Sequence, residues 1–133
     1  MKNISILGST GSIGVNTLNV VRENPLRYKV VALAAGRNVD LLQKQMEEFK
    51  PELVAIEDEE HAAKLLNTRH SCNEIEIVCG EEGYRMVAAA KNADMVVSAF
   101  AGAAGLLPTL AAIEAGKDIA LANKEAMVMA GRL

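Results

Sequence analysis

The chain has no tryptophan, and only two phenylalanines and two tyrosines occur among its 133 residues. Aromatics make up 3% of the chain and apolar residues 50%, so a core has to be built from Ala, Val, Ile, Leu and Met. Such a core suits thin layers of helix on sheet. Basic charge is not in excess: 14 Lys and Arg against 17 Asp and Glu leave a net charge of −3. A nucleic-acid or anionic-membrane surface needs concentrated Lys and Arg, so neither partner is expected. Cysteine is scarce, and Cys72 and Cys79 match no zinc or redox spacing, which leaves them as free thiols in a reducing compartment. The apolar run at the amino terminus is too short for a signal peptide, so the expected location is the cytoplasm. An uncharged stretch, residues 95–113, has the length of a membrane span. Gly102, Gly105, Pro108 and its many alanines divide it instead into strand, turn and helix.

Short apolar runs fall at residues 4–7, 30–35, 53–56, 75–79, 95–98 and 119–122. Most are continuously apolar, as in strands covered on both faces. Ile75 and Ile77 alternate with Glu74 and Glu76, which puts that strand near a sheet edge. Helical stripes lie between the runs: Gly14, Leu18 and Val21; Val39, Leu42, Met46 and Phe49; Leu106, Leu110 and Ile113. Pro25 and Pro51 punctuate helix ends, and Pro108 sits near a helix start. A further helix is expected from about Lys124. The alternation predicts an α/β fold: a doubly wound, mostly parallel sheet of six or seven strands, Rossmann-like, with helices on both faces. The length suits one domain over residues 1–133.

Between the first strand and the first helix stands Gly8-Ser9-Thr10-Gly11-Ser12-Ile13-Gly14. Glycine permits a tight turn and lets a pyrophosphate approach with no Cβ in the way. The helix start behind it offers unpaired N–H groups and the positive end of a dipole. Thr10 and Ser12 add hydroxyls that can donate to phosphate oxygens, and Gly14 is expected to allow close helix–strand packing. The glycines at 8, 11 and 14 depart from the familiar dinucleotide spacing, but the strand–turn–helix setting is the one that binds dinucleotides. The alternative is a structural glycine turn without a ligand.

The second strand ends Ala34-Ala35-Gly36-Arg37-Asn38. NAD-specific domains place a carboxylate here for the ribose 2′-hydroxyl. Instead Gly36 leaves room, Arg37 supplies a bidentate cation and Asn38 an amide, a set that suits a 2′-phosphate and therefore NADPH. The plainer reading makes Arg37 a solvated loop residue and Asn38 a helix N-cap. At the end of the sixth run, Asn123, Lys124 and Glu125 emerge at the sheet edge where ligands bind. Asn123 suits the cofactor's ribose or nicotinamide side and Lys124 an anionic substrate. Glu125 could equally be a first-turn carboxylate favoured by the helix dipole.

The strings ISILGSTGSIG, VVALAAGRN and AGAAGLLPTLAAIEAGKDIALANKEAMVMAGRL resemble the 1-deoxy-D-xylulose 5-phosphate reductoisomerase family from end to end of the chain. That family rearranges and reduces its sugar phosphate to 2-C-methyl-D-erythritol 4-phosphate in non-mevalonate isoprenoid synthesis, with NADPH and Mg²⁺ or Mn²⁺. Carried over by position, the resemblance implies that Thr10, Gly11, Ser12 and Ile13 contact NADPH at the turn. It places Gly36, Arg37 and Asn38 at the 2′-phosphate, Asn123 and Glu125 on the nicotinamide side, and Lys124 on the substrate. Ala126-Met127 stand where the family usually has Ser-Leu. The resemblance also implies a homodimer, and it implies that the metal ligands, catalytic domain and C-terminal domain are absent from this chain. No metal ligand and no catalytic residue is therefore expected here, and the chain alone is expected to be inactive. His61 and His70 are expected as solvated residues. Two other readings fit the turn: a different NADP-dependent dehydrogenase domain, for instance one like aspartate-semialdehyde dehydrogenase, and a free-standing NADP-sensing module. The first needs a catalytic cysteine, and neither Cys72 nor Cys79 has a nucleophile's setting.

Overall fold

The computed structural model describes residues 1–68, 74–100 and 106–121. Strands and helices alternate along the chain: β1 (Lys2–Leu7), α1 (Ser12–Glu23), β2 (Tyr28–Ala34), α2 (Val39–Phe49), β3 (Leu53–Ile56) and α3 (Glu59–Thr68). After them come β4 (Glu76–Cys79), α4 (Gly80–Ala88), β5 (Met95–Ser98), α5 (Leu106–Glu114) and β6 (Asp118–Leu121). The six strands form one sheet in the order β4-β3-β2-β1-β5-β6, and every pairing is parallel. β4, with its alternating glutamates, is an edge strand as its sequence suggested.

Strand side chains alternate between two apolar layers. Ile4, Ile6, Leu33 and Val54 pack with Leu18 and Val21 of α1, Leu42 and Met46 of α2, and Leu65 of α3. Leu7, Ala32, Ala34, Ala55 and Val96 pack with Val87 and Ala88 of α4 and Ala112 of α5. Among the described residues, three helices thus cover one face and two the other. Right-handed crossovers produce this division: β1 to β4 step one way, and α4 then returns across the sheet to β5. Small side chains at Ala32, Ala34 and Ala55 let α4 lie close over the strands that it crosses.

The helical stripes of α1 and α2 face the core as expected, with Gly14, Leu18, Val21, Leu42 and Met46 all buried. α5 differs from its expected stripe. Leu110 and Ile113 are exposed, and the helix turns Pro108 and Ala112 inward instead. Thr109 joins them by a 2.9 Å hydroxyl–hydroxyl hydrogen bond to Ser98 at the end of β5. Close approach to the sheet here selects small side chains, and the larger ones are left on the outer flank. His61 is also not the solvated residue expected. It lies in the first turn of α3, where its N–H and Nδ1 lie 2.9 and 2.6 Å from Asp58 Oδ1. His70 and Cys72 lie outside the described residues. Among the described residues, no helix is long and apolar enough to cross a membrane.

Candidate functional site

The sheet changes direction between β1 and β5, whose connections leave to opposite sides. A crevice opens at such a point, at the carboxyl ends of the strands. The glycine turn stands there. Gly8 N–H and Ser9 N–H both donate to Ala34 O of β2, at 2.7 and 2.9 Å. Ala99 N–H, just beyond β5, donates to Leu7 O at 2.7 Å. The turn is therefore tied to the strands on either side of β1.

Its glycines fall into two kinds. Gly8 has φ +90°, and a β-carbon there would stand 2.8 Å from the backbone of Ala99 and Phe100. At Gly14 a β-carbon would stand 2.1 Å from Gly8 O and 2.7 Å from Ser9 Cα. Both glycines are required by the chain itself, and Gly14 meets the turn backbone rather than the body of β1. Gly11 is different: its nearest contact would be Gly8 O at 3.7 Å, an ordinary van der Waals distance. Gly36 would meet nothing within 4 Å. Neither has a positive φ, so neither backbone strain nor any described neighbour demands glycine at either place. The space that their missing side chains leave opens outward.

Gly11 is the N-cap of α1, so no side chain caps the helix, and the first-turn N–H groups have no intrahelical partners. Thr10 is half-buried, and Gly11, Ser12 and Ile13 are exposed. The Ile13 side chain lines an apolar cavity of about 280 Å³ with Ile4, Thr17, Val20, Val97 and Ala120. What Ile13 offers at the turn is its backbone N–H.

On the neighbouring strand end, Gly36-Arg37-Asn38 sits at the same edge as the turn. Asn38 is the N-cap of α2 and its Oδ1 accepts from Leu41 N–H at 3.2 Å, as the plainer reading of that residue held. Its amide nitrogen makes no hydrogen bond to a described residue. Arg37 is exposed and pairs through Nε with Glu57, the residue after β3. The Glu57 hydrogen bond holds the guanidinium pKa further above its ordinary value. Asp58 is held below the usual carboxylate range by the His61 backbone N–H and then by its ring. Asn123, Lys124 and Glu125 lie outside the described residues. Leu121, at the end of β6, reaches the same carboxyl edge.

Three residues at this edge were not singled out from sequence. Glu57 is one. Gln45 of α2 is buried, and its Nε2 donates to Ser9 O at 2.8 Å, which ties α2 to the turn. A glutamine between Leu42 and Met46 on a buried stripe is the signal that could have found it. Tyr84 of α4 donates to Ala35 O at 2.7 Å and lies 5.0 Å, centroid to centroid, from Phe100. Burial pushes its phenol up to about 12. Among the described residues, no cluster of three or more His, Cys, Asp or Glu side chains could hold a metal ion.

An all-parallel, doubly wound sheet with a glycine turn at its switch point defines the chain as a Rossmann-like α/β domain. The chain belongs to the 1-deoxy-D-xylulose 5-phosphate reductoisomerase family, whose sequence profile matches residues 4–131. The reductoisomerase of Geotalea daltonii is 57% identical over the whole chain, which covers 34% of that protein. That of Geotalea uraniireducens is 59% identical over the whole chain and 34% of its own length. A crystal structure of a DOX-P reductoisomerase in complex with NADPH, fosmidomycin and magnesium is similar at a TM-score of 0.88 and 42% identity. That similarity covers the whole chain and 33% of the other protein. The Zymomonas mobilis reductoisomerase in complex with NADPH gives a TM-score of 0.85 at 37% identity, over 98% of the chain and 34% of that protein. The chain thus spans about a third of the length of the relatives it matches. Family membership sets aside the aspartate-semialdehyde-dehydrogenase-like reading.

Proposed function

We propose that residues 1–133 bind NADPH for a reductoisomerase that rearranges and reduces 1-deoxy-D-xylulose 5-phosphate to 2-C-methyl-D-erythritol 4-phosphate. The observation that carries this reading is the presence of glycine at positions 11 and 36, where no described residue requires it. A ligand that must approach the backbone there supplies the requirement. In this reading the pyrophosphate rests on the N–H groups from Thr10 to Ile13 and on the α1 dipole, with the Thr10 and Ser12 hydroxyls beside it. Gly36 leaves space for the adenosine ribose, and Arg37 and the Asn38 amide take the 2′-phosphate. Asn123 and Glu125 face the nicotinamide side, and Lys124 holds the anionic substrate. NADPH, when bound, supplies the hydride for the reduction.

Metal binding, by Mg²⁺ or Mn²⁺, and most substrate contacts are assigned to parts of the relatives that do not align with these residues. Residues 1–133 alone are accordingly proposed to be without turnover, and the homodimer is proposed for the whole enzyme. Gly11→Ala tests the reading. An added methyl at 3.7 Å from Gly8 O leaves the fold intact, so stability should fall by no more than about 1 kcal/mol, the cost of alanine at a helix N-cap, while NADPH affinity falls by about tenfold or more. Unchanged affinity for NADPH would contradict it.

A further inference from the structure

Arg37 and Arg22 both pair with a glutamate, but in different ways. Arg22 of α1 closes a two-point fork on Glu48 of α2, Nε to Oε2 at 2.5 Å and the outer nitrogen to Oε1 at 2.7 Å. Its remaining nitrogen reaches Asn19 Oδ1. All three of its nitrogens are engaged, two in tying α1 to α2 and one within α1. Arg37 instead engages Glu57 through Nε, and its terminal nitrogens make no hydrogen bond to any described residue. They remain available as a parallel pair of donors, the arrangement that matches phosphate oxygens.

Glu57 is itself held in place. It follows β3 directly, and its backbone N–H donates to Gly36 O at 3.1 Å. The carboxylate is therefore carried on the same loop junction as the arginine that it meets. Asp58, the next acid along, is engaged by His61 N–H and Nδ1. Arg37 is 73% exposed even in this pair, and without Glu57 it would be a long, unanchored side chain beside the open space at Gly36. Its ordering would fall on the binding step. The carboxylate also brings a negative charge near an incoming anion, but this corner is exposed to water and salt, which weaken that repulsion.

We propose that Glu57 is a positioning residue for NADP selectivity: it fixes Arg37 through Nε so that the terminal nitrogens receive the ribose 2′-phosphate. The assignment rests on the NADPH reading above. Its test is the pair of dissociation constants for NADPH and NADH in the full chain, for the wild type, Glu57→Gln and Glu57→Ala. Glu57→Ala should weaken NADPH binding about fivefold, the upper range for an exposed ion pair, and leave NADH unchanged. Glu57→Gln keeps an acceptor oxygen and should stay within about twofold of the wild type for both cofactors. The Arg37 Nε–H resonance should be displaced in Glu57→Ala and retained in Glu57→Gln. NADPH binding by Glu57→Ala that is as tight as in the wild type, or tighter, overturns the assignment, because the carboxylate would then be a bystander or a competitor. An equal loss for both cofactors also overturns it, as does Glu57→Gln falling with Glu57→Ala. A wild-type chain that binds no NADPH would overturn the NADPH reading and this assignment together.

Discussion

A β-carbon at Gly14 would stand 2.1 Å from Gly8 O, against backbone that cannot move aside without opening the turn. Gly14→Ala should therefore lower stability by about 3 kcal/mol or more, at the upper end for overpacking a tight site. Thermal or urea denaturation reads this directly, and a loss below about 1 kcal/mol would show that the turn yields. From sequence Gly14 is expected to serve packing, but Gly8 and Gly11 look alike. Only the distances separate those needed by the chain from Gly11. Glu57 was illegible for a related reason. It is 20 residues from Arg37, and only the parallel pairing of β2 with β3 brings them together. Tyr84 gives a second expectation at this scale. Its folded pKa lies at about 12 against an ordinary 10, so the folded state keeps a proton that the unfolded state releases. The stability this represents is present below pH 10 and lost as the pH rises toward 12. Denaturation midpoints at pH 9 and pH 11.5 should diverge more for the wild type than for Tyr84→Phe, and identical shifts would refute the assignment.

At the scale of single elements, the stripes of α1 and α2 were readable because large apolar residues recur at helical spacing and face a deep layer. α5 misled the same reasoning. It carries Leu107, Leu110 and Ile113, yet the face turned to the sheet is Pro108 and Ala112. Periodicity weighs side chains by apolar bulk, whereas packing close to the sheet here depends on smallness. The two criteria give opposite outcomes when substitutions are made. Leu110→Ala should change stability by less than about 0.5 kcal/mol, as at an exposed position. Ala112→Leu should lower it by about 1–3 kcal/mol through overpacking. Denaturation of the pair checks the orientation, and the reverse ranking would restore the stripe expected from sequence.

The molecule as a whole was legible in class but not in order. Alternating apolar runs and amphipathic stretches point to a parallel sheet with helices on both faces. They do not say that α4 is the connection that returns across the sheet, because its nine residues look like any other crossover helix. That one connection places the glycine turn at the switch point, at the carboxyl edge of the sheet. The Gly36-Arg37-Asn38 loop could be nominated from sequence as a phosphate partner because a carboxylate was missing where a 2′-hydroxyl would need one. Its tie to the turn through Ala34 O, and the buried Gln45 support behind Ser9, required the folded chain.

The central claim is that this edge receives a dinucleotide bearing a 2′-phosphate. Calorimetric titration of the chain with NADPH and NADH side by side, repeated on Arg37→Asp, tests it most directly. The account predicts NADPH binding at least about tenfold tighter than NADH, with that preference abolished in Arg37→Asp and NADH binding little changed. Equal affinity for the two cofactors, or an equal loss for both in the variant, would contradict it.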